Sequence, residues 1–266
     1  MLTVRVGDLD IAYREAGSGD PVLLVNGTGE SGATWAGLMG RLQDRWRCVA
    51  YDARDTGGSS HAGSAYSPGD LAVDAAGVIE GLGLGTCHVI GYSLGGATAQ
   101  ELALARPDLV RSLVLLSTWA RSDAWFVAQM RNWQVIRRAH ADDEDAFLRA
   151  LEPWILSPAT FDNPPLLAEV RAMWDADLPD QPFEGWIRQC EADIAHDAAD
   201  RLGPVGAPAL VLVGDDDICT PLRYAEELVD LLPDARLVTM PDAGHCAVFE
   251  RPVAVADAVA AFLASV

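Results

Sequence analysis

Apolar and polar residues alternate over Leu2–Val6 and again over Ile11–Arg14, with Gly7–Asp10 turning between them, which predicts an N-terminal β-hairpin. The later runs Pro21–Val25, Cys48–Tyr51, Cys87–Ile90, Ser112–Leu116, Ala209–Val213 and Leu237–Thr239 are short and apolar, bounded by Gly, Pro or charge. Such runs predict strands buried on both faces. Between them, Thr34–Leu42, Asp70–Leu82, Leu94–Ala105, Pro221–Leu232 and Pro252–Leu263 carry apolar residues at helical spacing, with Thr220 expected as N-cap and Pro221 as first helical residue. Strand and helix alternating in this way predict an α/β fold, a mostly parallel doubly wound sheet with helices on both faces. The rhythm breaks between about Trp119 and Ala199, where the chain is helical and rich in tryptophan. The expected organisation is a core of residues 1–118 and 200–266 with a helical cap, 119–199, inserted into it.

The chain's 266 residues suit one such domain with an insertion. A net charge of −20 repels phosphate backbones and anionic lipid headgroups, which argues against nucleic acid and membrane surfaces as partners. All 19 basic residues are arginine. With no lysine, neither a phosphate-gripping P-loop nor a pyridoxal Schiff base can be built. The five cysteines form no C-x-x-C pair and no metal-ligand spacing, so no metal or cofactor is implied and a reducing compartment is expected. The N-terminus lacks a charged start followed by an apolar stretch, and no apolar run approaches the length of a membrane span. A cytoplasmic location is therefore the expectation.

Chemistry enters at Gly91-Tyr92-Ser93-Leu94-Gly95-Gly96, a G-x-S-x-G sequence lying directly between a predicted strand and a predicted helix. A serine on so sharp a turn has strained backbone angles and needs small neighbours, and its hydroxyl is pushed out over the sheet edge. That hydroxyl is a weak nucleophile at neutral pH, so a histidine base and an orienting carboxylate are required. Of the five histidines, His245 lies in the loop after the last predicted strand, where a base can hang over the same edge. His88, His140 and His196 fall in predicted core or cap elements, and His61 follows the Cys48–Tyr51 strand, where it could line a pocket. For the carboxylate, the loop after Ala209–Val213 offers Asp215, Asp216 and Asp217. Asp217, furthest from the strand, is the first choice and Asp216 the alternative.

The order Ser93, Asp217, His245 on a doubly wound sheet resembles the α/β-hydrolase fold, specifically its serine hydrolases. The resemblance spans nearly the whole chain through Pro21–Gly27, Tyr51–Ser59, the elbow at Ser93, Gly214–Pro221, and Gly244-His245 followed by Glu250-Arg251-Pro252. Asn26 stands where the family usually has histidine. The Asp52–Ser59 stretch resembles polyketide-tailoring methylesterases, and Cys190–Pro221 resembles 3-oxoadipate enol-lactonases. The family likeness implies an oxyanion hole made by the backbone N–H groups of Thr28 and Leu94.

Arg54 and Asp55 are expected to pair with each other, and Cys219 and Cys246 to pack as small hydrophobes. The expected activity is hydrolysis of a carboxylic ester or lactone through an acyl-enzyme. Two alternatives stand beside it: C–C cleavage or polyketide-type cyclisation on the same residues, and a non-catalytic receptor on the same fold. The implied partner is a small molecule, and a homo-oligomer is compatible with the chain. Six of the eight tryptophans, Trp119, Trp125, Trp133, Trp154, Trp174 and Trp186, fall in the predicted cap. At least two are expected to line an apolar cavity for a flat or long acyl substrate. Trp125 and Trp133 are the first candidates, with Trp119, Trp154 and Trp186 behind them.

Overall fold

The computed structural model describes residues 1–175 and 180–266, so residues 176–179 of the expected cap lie outside the described residues. In chain order the elements begin with strands β1 (Leu2–Val6), β2 (Leu9–Ala16) and β3 (Asp20–Val25), helix α1 (Ala36–Leu42), β4 (Trp46–Tyr51) and α2 (Pro68–Gly81). Next come β5 (Cys87–Tyr92), α3 (Leu94–Ala105) and β6 (Val110–Leu116). Five helices follow: α4 (Ala124–Ala139), α5 (Glu144–Ile155), α6 (Pro158–Phe161), α7 (Pro164–Asp175) and α8 (Phe183–Ala195). The chain then returns to the sheet with β7 (Ala209–Gly214), α9 (Leu222–Leu231), β8 (Ala235–Met240), α10 (Ala247–Glu250) and α11 (Pro252–Leu263).

The eight strands form one sheet in the order β1-β2-β4-β3-β5-β6-β7-β8. β1 and β2 are antiparallel, as the hairpin pattern requires, and β3 to β8 are parallel. The period of two in a strand sorts neighbouring residues to opposite faces. Leu23 and Leu113 pack with Ile79, Leu102 and Leu228 on one side, while Leu24 and Val114 pack with Leu42, Val259 and Phe262 on the other. Each fully buried aliphatic side chain contributes roughly 1.5–3 kcal/mol. Both faces are therefore closed to water, which leaves the carboxyl edge of the parallel strands as the open place for loops to converge. The residues after Val25, Tyr51, Tyr92, Leu116, Gly214 and Met240 all emerge there.

Local sequence sets the helix starts. Ser67 and Asp70 form a reciprocal capping box around Pro68, and the Asp123 side chain accepts from the Phe126 N–H at the start of α4. Thr34 belongs to a 3₁₀ turn, Gly32–Trp35, ahead of α1 rather than to the helix itself. Pro221, not Thr220, is the N-cap of α9. The Thr220 hydroxyl is engaged elsewhere, by the side chain of Asp217.

Two buried charge clusters hold the loops. Asp52 accepts from the Gly32 N–H at 2.8 Å and the Gly58 N–H at 2.9 Å, tying the loop after β3 to the loop after β4. The expected Arg54–Asp55 pair does not form. Asp55 adopts a left-handed φ of 70°, which turns its side chain away from that of its neighbour. Arg54 instead reaches Asp74 on α2, both N–O distances being 2.6 Å. Asp55, fully buried, receives a two-pronged contact from Arg188 on α8 at 2.8 and 2.9 Å. A planar guanidinium matches a carboxylate in this way, and removing it strands the buried charge. Arg188→Ala should lower stability by about 3–5 kcal/mol, read as an earlier urea midpoint. Replacing both partners, as Asp55→Ala with Arg188→Met, should recover most of the loss; equal damage in the single and double variants would contradict the stranded-charge account.

Candidate active site

Three loops at the carboxyl edge bring together residues far apart in sequence. Ser93 sits between β5 and α3 at φ 54° and ψ −118°, a strained conformation for a residue with a side chain. Glycines make it possible. A Cβ on Gly91 would lie 2.3 Å from the Gly95 carbonyl oxygen, and one on Gly95 would lie 2.1 Å from the Val25 carbonyl oxygen. The Ser93 N–H donates to the Leu116 carbonyl, and the Thr118 hydroxyl donates to the Ser93 carbonyl, so β6 braces the turn from the other side.

His245 Nε2 lies 3.2 Å from Ser93 Oγ, and His245 Nδ1 lies 3.0 Å from Asp217 Oδ2. Both His245 and Asp217 are buried, whereas Asp215 and Asp216 face solvent, so the structure brings Asp217 and not Asp216 to the histidine. Asp217 Oδ1 accepts from the N–H groups of Cys219 and Thr220, and Oδ2 also accepts from the Thr220 hydroxyl. Four donors thus fix one carboxylate, counting His245. The loop carrying His245 is held as closely. Glu250, fully internal, accepts from the Gly244 N–H at 2.7 Å and, through its other oxygen, from Ser157 and Thr160 between α5 and α7.

The loop after β3 runs against the serine. A methyl group on Gly27 would sit 3.2 Å from Ser93 Cβ. Among the described residues, neither the Thr28 N–H nor the Leu94 N–H has a backbone acceptor, and the latter opens α3, where the helix dipole favours negative charge. Asn26 shapes this loop by donating to the Tyr51 carbonyl at 2.7 Å. Helix α8 holds it from above: Thr28 Oγ1 donates to Asp193 Oδ2 at 2.7 Å, and the Gly29 N–H donates to Gln189 at 2.8 Å.

Above Ser93 opens a cavity of about 380 Å³. Trp133, Trp174 and Trp186 line it, together with Phe126, Met130 and Phe147. Trp119, Trp125 and Trp154 do not. Trp119 is fully buried, its ring tilted against that of Phe126 with centroids 4.1 Å apart, and its N–H on Ser122. Trp125 is half-exposed on the outer side of α4, because eight residues of helix overshoot two turns by about 80° and separate it from Trp133. Trp154 packs against the cap's own apolar cluster. Trp174 was legible only as one of the cap tryptophans, since its place depends on how α7 leans on Phe249.

The remaining histidines fall outside the site. His88 is bonded to Ser112 within the sheet and His196 packs edge-on to Trp119, and burial pushes both down to about 4. His61, which the sequence left as a candidate for lining a pocket, is exposed and does not line the cavity. His140 terminates α4. Cys219 and Cys246 do line the cavity, but burial raises both thiols well above their ordinary range. Cys219 accepts from Gln129 at 3.0 Å, and Cys246 contacts the Tyr92 hydroxyl at 3.5 Å. Three supports were invisible in the sequence: Thr220, whose Thr-Pro context read as a helix cap, and Gln189 and Asp193, whose contacts with Thr28-Gly29 are 160 residues or more away along the chain.

A family model described as the alpha/beta hydrolase fold matches residues 20–252. A protein from Mycobacterium tuberculosis named as a non-heme bromoperoxidase is 33% identical over 97% of this chain and 99% of its own. Among solved structures, a thermophilic esterase from Thermogutta terrifontis superposes with a TM-score of 0.87 at 27% identity, covering 99% of this chain and 98% of that one. An enol-lactonase from Burkholderia xenovorans gives a TM-score of 0.87 at 25% identity, over 99% and 100% of the two chains.

Thiols held protonated and out of solvent should be unreactive. In the native protein iodoacetamide should leave Cys219 and Cys246 unmodified, and in urea all five cysteines should alkylate, counted by intact mass. Rapid modification of Cys219 in the folded chain would show that the cavity admits a thiolate.

Proposed function

The chain belongs to the α/β hydrolase fold family and is an enzyme of the hydrolase type, and we propose that it cleaves carboxylic esters or lactones of medium-sized apolar or aromatic molecules through a serine acyl-enzyme. The observation that carries this reading is the unbroken line from Ser93 Oγ through His245 to Asp217, at 3.2 and 3.0 Å, on the floor of a tryptophan-lined cavity.

In the proposed reaction Ser93 Oγ attacks the substrate carbonyl while His245 Nε2 takes its proton. The charge that forms on His245 is balanced by Asp217 across Nδ1. The carbonyl oxygen, now an anion, lies between the N–H groups of Thr28 and Leu94, and a single such donor is typically worth about 2.7–4 kcal/mol. His245 returns the proton to the departing alkoxide, which leaves as an alcohol, or as the tethered hydroxyl when the substrate is a lactone. Water then repeats the attack on the acyl-enzyme, with His245 again as base, and releases the acid. Residues 1–118 and 200–266 supply these groups, and the insertion 119–199 forms the roof that selects the acyl part. The five buried, unpaired thiols support a reducing, cytoplasmic setting.

Ser93→Ala should abolish both turnover of a 4-nitrophenyl ester and covalent labelling by a fluorophosphonate, with an unchanged circular-dichroism spectrum. Full activity in that variant would end the serine mechanism. Asp217→Asn should lower kcat by about 10⁴, as in the best-studied serine triad, while exposed Asp216→Asn should stay within about twofold. Trp133→Ala should act mainly by raising KM for aromatic esters, as loss of uniform binding does. Trp125→Ala should do nothing to KM. A KM that rises in Trp125→Ala and not in Trp133→Ala would move the substrate out of the cavity.

A further inference from the structure

Two carboxyl groups in the cavity take no part in the proposed reaction. Asp193, on α8, lines the cavity and is 2% exposed. Its Oδ2 accepts from Thr28, but among the described residues its Oδ1 has no partner. Glu30, from the loop after β3, also lines the cavity, and its Oε2 is shut off from solvent and likewise unpartnered. A third acid, Glu144, stands at the wall but is already paired with Arg137 at 2.9 Å.

No arginine lines the cavity among the described residues, and the chain contains no lysine. Burial without a compensating cation pushes Asp193 up to about 7 and Glu30 up to about 8. A buried polar oxygen without a partner is costly, and it is normally completed by water, an ion or a ligand. The rest of the wall has matching chemistry. Phe126, Trp133, Phe147 and Trp186 present π-faces and edges to the same space, and aromatic faces attract cations, more strongly once water is excluded. Phosphate or carboxylate ligands would meet three acids and, among the described residues, no basic side chain but His245. A cationic ligand supplies the missing counter-charge that favours ionisation of both carboxyls, and it meets π-density and an unfilled acceptor.

We propose that the cavity selects an ester or lactone whose acyl or alcohol part carries a cationic nitrogen, received between Asp193, Glu30 and the aromatic wall, and that it rejects anionic substrates. The inference rests on the hydrolase reading of this cavity and adds the class of substrate. Asp193 thereby has two roles on one carboxyl: Oδ2 anchors the loop that carries the Thr28 N–H, and Oδ1 receives the ligand.

The test measures binding, not turnover, so that it is decided separately from the serine mechanism. Ser93→Ala protein is titrated by calorimetry at mildly alkaline pH with the anilides of three acids of matched shape. These are 4-(trimethylammonio)butanoic acid, 5,5-dimethylhexanoic acid and glutaric acid, the last as its monoanilide, giving a permanent cation, its neutral isostere and an anion. The cation should bind about tenfold tighter than the neutral isostere, and the anion at least about tenfold weaker. Adding Asp193→Asn, which keeps an acceptor for Thr28, or Glu30→Gln should each compress the cation-to-anion ratio severalfold. Equal binding of cation and anion, or a ratio that survives both substitutions, would overturn the proposal.

Discussion

The bare α-carbon of Gly95 pressed against the Val25 carbonyl fixes where everything else can be. It lets α3 begin immediately after β5 and brings the end of β3 alongside the serine turn. The same contact sets the spacing between Ser93 and the backbone of Gly27-Thr28. A side chain at residue 95 would have to push the two strands' loops apart, and with them the Ser93 hydroxyl and the N–H groups of Thr28 and Leu94. The strain at Ser93 is held by what surrounds it: the Leu116 carbonyl, the Thr118 hydroxyl and a sheet sealed on both faces. The geometry around Ser93 is here a consequence of sheet packing.

What the sequence made legible follows from the range of the interactions involved. Strand positions, the elbow and the order Ser93, Asp217, His245 are set by period, by glycine and by chain neighbours. Even the choice among three consecutive aspartates could be argued from the distance each lies beyond β7. Contacts across the cap were beyond that range. Arg188 meets Asp55 over 133 residues, and nothing near either residue announces the other. Sequence proximity even misled, since Arg54 beside Asp55 suggested a pair that a left-handed φ prevents. The tryptophans make the same point: their number in residues 119–199 pointed to an aromatic roof, but which of them face inward depends on helix rotation, and a shift of about 80° sends Trp125 outward and leaves Trp133 inside.

The insertion is attached to the sheet edge at several points, each chemically distinct. Arg188 grips the loop after β4, Asp193 and Gln189 grip the loop after β3, and Ser157 and Thr160 grip Glu250. Polar contacts of this kind are directional and set orientation more sharply than apolar packing, which tolerates sliding. The apolar wall of the cavity supplies contact area, and the polar attachments decide where that area lies relative to Ser93.

Glu250 carries a consequence of its own. One of its oxygens holds the N–H of Gly244, the residue before His245, and the other holds Ser157 and Thr160 of the insertion. The two halves of a single carboxylate therefore join the Ser157 segment to the loop that carries His245. The Ser157 segment and the His245 loop are thus registered to one another by one residue, and a substitution at Glu250 removes the anchor of both at once.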